Sequence, residues 1–281
     1  MTQRLTSLFE VADRFEVIVL DQWGVLHNGS SPYPGAVGCL KKLSSAGIRL
    51  AVLSNSGKRA RPNAERIHAM GFDRGVFEHV MTSGEALWQD IAEGRVKECR
   101  FAPIERAPND AAQWAEGLDV TVAASVETAE AVLLMGLPDE AAPSDFERVL
   151  EVARTRNLPV FCTNPDRAAP RADGQVVLSP GALAHAYADT GGQVRFYGKP
   201  HRPVYDALEI ALGTTSKRMA MVGDSLEHDV AGGRGAGWST IFVEGGLHAA
   251  AFVEADPLSA LSALAAQHDA PLPDYTISRL Q

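Results

Sequence analysis

Four short segments place polar side chains directly behind apolar runs, and their residue types fit one class of chemistry. Asp21-Gln22-Trp23-Gly24-Val25 follows Val17-Ile18-Val19-Leu20, and Ser54-Asn55-Ser56 follows residues 49–53. Gly198-Lys199-Pro200 follows residues 194–197. Gly223-Asp224-Ser225, with Asp229 beyond it, follows Met219-Ala220-Met221-Val222. A carboxylate such as Asp21 can attack phosphorus and be regenerated through an aspartyl-phosphate. Mg²⁺ favours one or two carboxylates together with water and phosphate oxygens, which Asp21 and Asp224 could supply. A serine hydroxyl and a lysine can hold the equatorial oxygens while charge shifts in the transition state. Each segment alone has a plainer explanation: a turn aspartate, a solvated loop lysine, a helix cap. Structural caps have no reason to keep the order carboxylate, hydroxyl, lysine, carboxylate.

Those segments need strands to carry them. Residues 17–20, 219–222 and 240–243 read as buried strands, 49–53 and 194–197 as strands, and 274–277 as a last edge strand. Helices are expected over 35–46, 62–70 with a stop at Gly71, and 204–212. Such alternation implies βαβ units and a parallel sheet, in which ligands bind at the carboxyl ends of strands. The middle of the chain repeats the pattern more weakly. Strands at 131–135 and 160–162 flank a helix opened by the capping box Ser144-x-x-Glu147 and running to about Arg156. Loops rich in Pro, Ala and Asp surround them, including residues 168–174. The fold class is therefore α/β: a Rossmann-like parallel sheet core, residues 1–83 and 179–281, with an inserted α/β cap domain over residues 84–178.

Composition narrows the function. A net charge of −9 with no Lys/Arg run gives no footprint for nucleic acid. Anionic ligands must then be attracted locally, by metal, lysine and backbone amides. No apolar run reaches the roughly 18 residues of a membrane helix, and the first 20 residues lack a signal-peptide layout, so the expected location is cytoplasmic. Cys39, Cys99 and Cys162 have no CxxC spacing and read as buried reduced thiols. Trp88 and Trp114 read as core or rim residues of cap helices. Gly232-Gly233-x-Gly235-x-Gly237 reads as close helix packing and a helix stop, since no strand directly precedes it.

The motifs resemble those of the haloacid dehalogenase superfamily, in its NagD-like class IIA branch, over nearly the whole chain. Leu20-Asp21-x-x-Gly24-Val25-Leu26 is similar to the nucleophile motif, and Leu53-Ser54-Asn55-Ser56 to the phosphate-binding motif. Tyr197-Gly198-Lys199-Pro200 resembles the lysine motif, and Val222-Gly223-Asp224-Ser225-Leu226-x-x-Asp229 the acidic metal motif. Thr163-Asn164-Pro165-Asp166 and Pro180-Gly181-Ala182-Leu183 match the branch. The branch includes UMP, p-nitrophenyl phosphate and pyridoxal phosphatases. The resemblance implies Asp21 as nucleophile and metal ligand, with the Trp23 carbonyl, Asp224 and Asp229 completing an Mg²⁺ site. It implies Ser54 and Lys199 on the phosphoryl group, Asn55 beside Ser54 as a further binding residue, and Asn164 and Asp166 as cap contacts to substrate. The substrate implied is a small phosphorylated metabolite, and the assembly a homodimer through the cap.

One position departs from that pattern. Phosphatases of the family carry a second Asp two residues after the nucleophile, which protonates the leaving oxygen and then activates water. Here the position is Trp23, whose indole has one non-acidic N–H and no basic site. General acid–base help is worth about 10²–10⁴-fold. Three readings follow: a phosphohydrolase in which another group such as His27, or an acidic leaving group, replaces the acid; a phospho-ligand binding protein with negligible turnover; and carbon–halogen hydrolysis, since dehalogenases of the superfamily also carry an aromatic there. Asp224 and Asp229 argue against the last, because halide departure needs no Mg²⁺.

Overall fold

Val17-Ile18-Val19-Leu20 has no polar face, and such a run is stable only where both sides of the strand are covered. The computed structural model, which describes residues 2–170, 175–254 and 256–281, covers it. The chain begins with β1 (Gln3–Leu5), β2 (Val17–Leu20), α1 (Ala36–Ser45), β3 (Arg49–Ser54), α2 (Ala60–Ala69) and β4 (His79–Thr82). It continues through α3 (Ser83–Ala92), β5 (Arg100–Ile104), α4 (Asp110–Trp114), β6 (Thr121–Val122), β7 (Ala131–Leu134), α5 (Glu147–Thr155) and β8 (Val160–Cys162). After β9 (Ala168–Pro170), β10 (Val176–Leu178), α6 (Pro180–Asp189) and β11 (Val194–Phe196) come α7 (Arg202–Leu212), β12 (Met219–Gly223), α8 (Ala231–Gly235), β13 (Ser239–Val243), α9 (Pro257–Gln267) and β14 (Tyr275–Ile277).

Two units result. The first comprises Met1–Ser54, Asn63–Met81 and Tyr205–Gln281. Its sheet has the order β1-β14-β13-β12-β2-β3-β4. All four residues of β2 are fully buried, each large one contributing about 1.5–3 kcal/mol. On one face Ile18 and Leu20 pack with Leu40, Leu43, Ile67 and Phe72. Elsewhere in the unit, Phe242 packs with Leu226, Val230 and Leu261. Leu20 pairs with Val222 on one side and Val52 on the other, both in parallel, so β12, β2 and β3 end within two residues of one another. That register brings Asp21, one residue past the paired row, together with Ser54 and Asp224, each two residues past it.

The second unit comprises Asn55–Pro62 and Thr82–Val204. Its five-stranded parallel sheet has the order β11-β8-β7-β5-β6, with a separate antiparallel pair β10-β9. Ala102, Val132, Leu134, Val160, Leu183 and Tyr187 form its core. Residues 55–62 are fastened there by Lys58 to Asp110 at 3.3 Å, by Arg59 to Glu85 at 2.7 Å, and by the Thr82 hydroxyl donating to the Lys58 carbonyl at 2.6 Å.

Several expectations need correction. The strand expected at 194–197 in the main sheet is β11, which pairs Val194 with Val160 and Phe196 with Cys162 in the second sheet. An apolar periodicity identifies a strand without saying which sheet it joins. The second unit accordingly runs to Val204, not to residue 178, and takes residues 55–62 as well; its other break, at Met81/Thr82, lies within two residues of the expected one. The strand expected at the edge, β14, is interior, because β1 pairs outside it. The helix start expected from Ser144 and Glu147 lies earlier: Asp145 Oδ2 accepts the Ala142 N–H at 2.8 Å, opening a 3₁₀ turn (Pro143–Phe146) that leads into α5. Cys39 and Cys162 are buried and Cys99 is exposed, all three free. Of the loop expected over 168–174, residues 168–170 form β9, and 171–174 lie outside the described residues. As expected, the glycine run ends α8, and a Cβ on Gly233 would lie 2.9 Å from Thr240 and 3.0 Å from Met221. Trp114 is core, donating its indole N–H to the Gly84 carbonyl at 2.8 Å, and Trp88 is half-buried beneath the Arg59 guanidinium.

Candidate active site: a carboxylate cluster and a clamped lysine

Asp21 leaves β2 with its N–H donating to the Val222 carbonyl at 2.9 Å, which continues the ladder one residue past the strand. Asp224 leaves β12, and its Oδ2 accepts the Leu247 N–H at 2.7 Å. Asp229 lies in the π-helical turn Leu226–Val230, where its Oδ2 accepts the Ser225 N–H at 3.0 Å. Carboxylate oxygens of these three residues all lie within 4.8 Å of one another. Asp224 and Asp229 are almost wholly buried, at 4% and 1% exposure, and Asp21 is half-buried. Acceptor-only groups gathered so closely out of water repel one another unless a cation or hydrogen-bond donors offset them.

Glycines leave room for the carboxylates. Gly24 has φ +85°, and a Cβ there would sit 1.7 Å from Asp224 Oδ2. A Cβ on Gly246 would sit 2.3 Å from the same oxygen, and one on Gly223 would sit 2.1 Å from Asp229 Cγ. This cradle of hard oxygen donors fits Mg²⁺, which prefers carboxylates and water to nitrogen or sulfur ligands. Gly246 and the Leu247 amide were not singled out from the sequence. The signal was there, since Gly245-Gly246 follows an apolar strand as the four recognised segments do.

Trp23 is half-buried beside a tight turn. Gly24 N donates to the His27 carbonyl at 3.0 Å and His27 N to the Gln22 carbonyl at 3.1 Å. That bridge leaves the Trp23 carbonyl outside its ladder. The indole lies along the turn, with Nε1 3.1 Å from where a Gly29 Cβ would be. His27 is fully buried; its Nδ1 accepts the Gly29 N–H at 3.1 Å and its Nε2 has no partner among the described residues. Burial, helped by the Arg66 charge, pushes the imidazole down to about 4. Held neutral in this way, the imidazole has no imidazolium proton to give near neutrality.

Asn55, Asn164, Asp166 and Lys199 gather in the second unit. Asn55 Oδ1 accepts the Lys199 N–H at 2.6 Å, and Asn55 Nδ2 donates to Asp166 Oδ1 at 2.7 Å and to the Lys199 carbonyl at 3.2 Å. Asn164 Oδ1 accepts the Asp166 N–H at 3.1 Å. Lys199 is 3% exposed and Asn55 7%. Ser54, the last residue of β3, is equally enclosed at 9%.

The pattern described as haloacid dehalogenase-like hydrolase matches residues 18–107, and that described as HAD-hydrolase-like matches residues 196–270. These spans contain Asp21, Ser54, Lys199, Asp224 and Asp229. The chain belongs to the haloacid dehalogenase-like hydrolases. A putative NagD protein superposes with a TM-score of 0.71 at 26% identity, covering 87% of this chain and 92% of the other, which supports the NagD-like class IIA branch. This chain is 26% identical to human chronophin over 258 residues, covering 85% of this chain and 84% of that one. A haloacid dehalogenase-like hydrolase from Brucella suis superposes with a TM-score of 0.81 at 28% identity, covering 99% of this chain and all of the other. The 4-nitrophenylphosphatase of Thermotoga maritima superposes with a TM-score of 0.76 at 25% identity, covering 96% of each chain.

Proposed function

We propose that this hydrolase cleaves small phosphorylated metabolites through an aspartyl-phosphate on Asp21, with Mg²⁺ as its cofactor. The observation that carries this is the set of three carboxylates, on the ends of adjacent strands and the turn beyond, with oxygens within 4.8 Å of one another. Asp21, Asp224, Asp229 and the Trp23 carbonyl would hold the ion, which supplies charge neutralisation for an approaching phosphate. An Asp21 oxygen attacks phosphorus, the P–O bond to the leaving group breaks, and Ser54 and Lys199 hold the equatorial oxygens. Water then attacks phosphorus, releasing phosphate and regenerating the carboxylate. The 4-nitrophenylphosphatase among its neighbours supports a phosphomonoester substrate. No helix among the described residues is long and apolar enough to cross a membrane, and three free cysteines suit the reducing cytoplasm.

Trp23 shapes the kinetics. With indole at the acid–base position and His27 buried and neutral, the leaving oxygen takes its proton from solvent or departs as an anion. Leaving groups of low pKa, such as p-nitrophenolate, are then favoured. Hydrolysis of the aspartyl-phosphate becomes the slow step, giving a burst of p-nitrophenol. The same feature favours a second function, a phospho-ligand binding protein. Carbon–halogen hydrolysis fits less well, because it leaves the carboxylate cluster without a role. The test is release of p-nitrophenol and phosphate with Mg²⁺ or EDTA, for wild type and Asp21→Asn. A Mg²⁺-dependent burst lost in Asp21→Asn is expected. No release from any monoester would leave the binding function, and release that survives EDTA would overturn Mg²⁺ as the cofactor.

A further inference from the structure

Asn55, Asn164 and Asp166, expected from the sequence to meet substrate, are engaged with one another and with Lys199. A carboxamide has two N–H donors and one oxygen acceptor, and a buried one has few alternatives to filling them. In Asn55 both donors are taken, by Asp166 Oδ1 at 2.7 Å and the Lys199 carbonyl at 3.2 Å, while the oxygen accepts the Lys199 N–H at 2.6 Å. One side chain thus holds both backbone polar groups of Lys199. Turned end for end, the same amide would set its oxygen against the Asp166 carboxylate and the Lys199 carbonyl. Asp166, an acceptor when ionised, therefore selects the orientation that clamps Lys199. Asp166 is itself fixed by its N–H to Asn164 Oδ1 at 3.1 Å.

Close packing seals the arrangement. A Cβ on Gly198 would lie 2.3 Å from Pro165 Cδ and 2.6 Å from Asn55 Oδ1. One on Gly181 would lie 1.9 Å from the Pro165 carbonyl. Four of the recognised motifs, around Asn55, Asn164, Gly181 and Lys199, are thus parts of one scaffold. Lysine needs such a frame, because its ammonium rides on four rotatable carbons and its aim depends on where the backbone starts it.

We propose that Asn55 and Asp166 are positioning residues for Lys199: Asn55 clamps the lysine backbone, and Asp166 fixes the direction of the Asn55 amide. This inference rests on the assignment of Lys199 to the phosphoryl group. It reassigns both residues from substrate contact to control of kcat.

The experiment takes the full chain with Mg²⁺ and two substrates, p-nitrophenyl phosphate and an alkyl phosphate. Asn55→Asp sets a carboxylate against Asp166 and the Lys199 carbonyl. At pH 8 kcat should fall about 10²-fold on both substrates, the scale of a 1 Å misplacement, with KM nearly unchanged. At pH 5 the loss should shrink about tenfold, because a protonated carboxyl of raised pKa can donate to Asp166. Adding Asp166→Asn to Asn55→Asp restores a donor opposite an acceptor, and should recover kcat about tenfold at pH 8. A raised KM at unchanged kcat, or a double variant no better than the single, would overturn the proposal. Hydrogen exchange at the Lys199 amide, measured without substrate, needs no activity and covers a poorly folding Asn55→Asp. In Asp166→Asn that amide should exchange about tenfold faster or more, while core amides of β12 stay protected. Unchanged protection overturns the clamp. Normal turnover in Lys199→Ala would instead overturn the parent assignment, with the exchange result still deciding the clamp.

Discussion

Adding one methyl group at Gly246 should disable the proposed Mg²⁺ site. Gly246 belongs to none of the motifs recognised in the sequence, yet a Cβ there would lie 2.3 Å from Asp224 Oδ2 and 2.4 Å from Asp224 Cβ. Ordinary C···O contacts lie at about 3.3 Å or beyond, so in Gly246→Ala the carboxylate must retreat by about 1 Å. Metal–oxygen distances tolerate only about 0.2 Å, and the same oxygen loses its 2.7 Å bond from the Leu247 N–H. Losing the orientation of a ligand costs about 10–100-fold in affinity, and a displaced ligand belongs at the upper end.

Thermal melts with and without Mg²⁺ read this directly. At Mg²⁺ one hundred times its dissociation constant, wild type gains about 2.7 kcal/mol, and a variant binding 100-fold more weakly gains about 0.4 kcal/mol. At about 2–4 °C per kcal/mol, the Mg²⁺-induced rise in Tm falls from about 5–10 °C to about 1 °C. Overpacking lowers the metal-free Tm as well, by about 1–3 kcal/mol of stability. Gly38→Ala is the control: nothing lies within 4 Å of its added carbon, and alanine inside α1 should stabilise by about 0.5–1 kcal/mol without changing the Mg²⁺ response. A Gly246→Ala protein whose Mg²⁺ titration matches wild type would refute the reasoning, because Asp224 would then not be held where the cation sits.

Two further outcomes test the acid–base argument. Trp23→Asp should raise turnover of alkyl phosphates by about 10²–10⁴-fold and abolish the p-nitrophenol burst; steady-state rates on both substrate types check it, and no gain would mean that proton transfer was never limiting. His27 gives a pH signature of stability rather than rate. Its folded value of about 4 lies below the ordinary 6.5, so its contribution is complete above about 6.5 and lost as pH falls toward 4, by about 3 kcal/mol. His27→Gln, which keeps an acceptor for the Gly29 N–H, should flatten that acid limb in urea melts between pH 7 and 4. An identical limb in the variant would assign the loss to other groups.

The central strands were readable because full burial demands an unbroken apolar run, as in Val17–Leu20 and Met219–Gly223. Asp21 and Asp224 were readable for a related reason: in parallel register, residues one or two past each run meet, and Asp229 joins them from the turn that follows β12. Less was visible where partners are remote. Gln3–Leu5 carries two polar residues and owes its place to pairing with Tyr275–Ile277 at the other end of the chain. Arg195 interrupts Val194–Phe196 as an edge position allows, but nothing local names Val160–Cys162 as its partner. Asn55 shows the limit most plainly. Its neighbour Ser54 ends a strand of the first unit, whereas its own amide belongs to a network reaching Asp166 and Lys199, which spacing alone does not reveal.

The strand order also dictates a sequence of events during synthesis. Val17–Leu20 emerges early and acquires Arg49–Ser54 along one edge, but its other edge waits for Met219–Gly223. By then every residue of the second unit, whose last is Val204, has been made. At about 5–20 residues per second, that wait is on the order of tens of seconds, during which a wholly apolar strand keeps unpaired amides and carbonyls. The ribosome therefore delivers a finished second unit attached to half a sheet. A chain stopped anywhere short of Met219 would carry that open edge permanently, and self-association through it is the failure this topology invites.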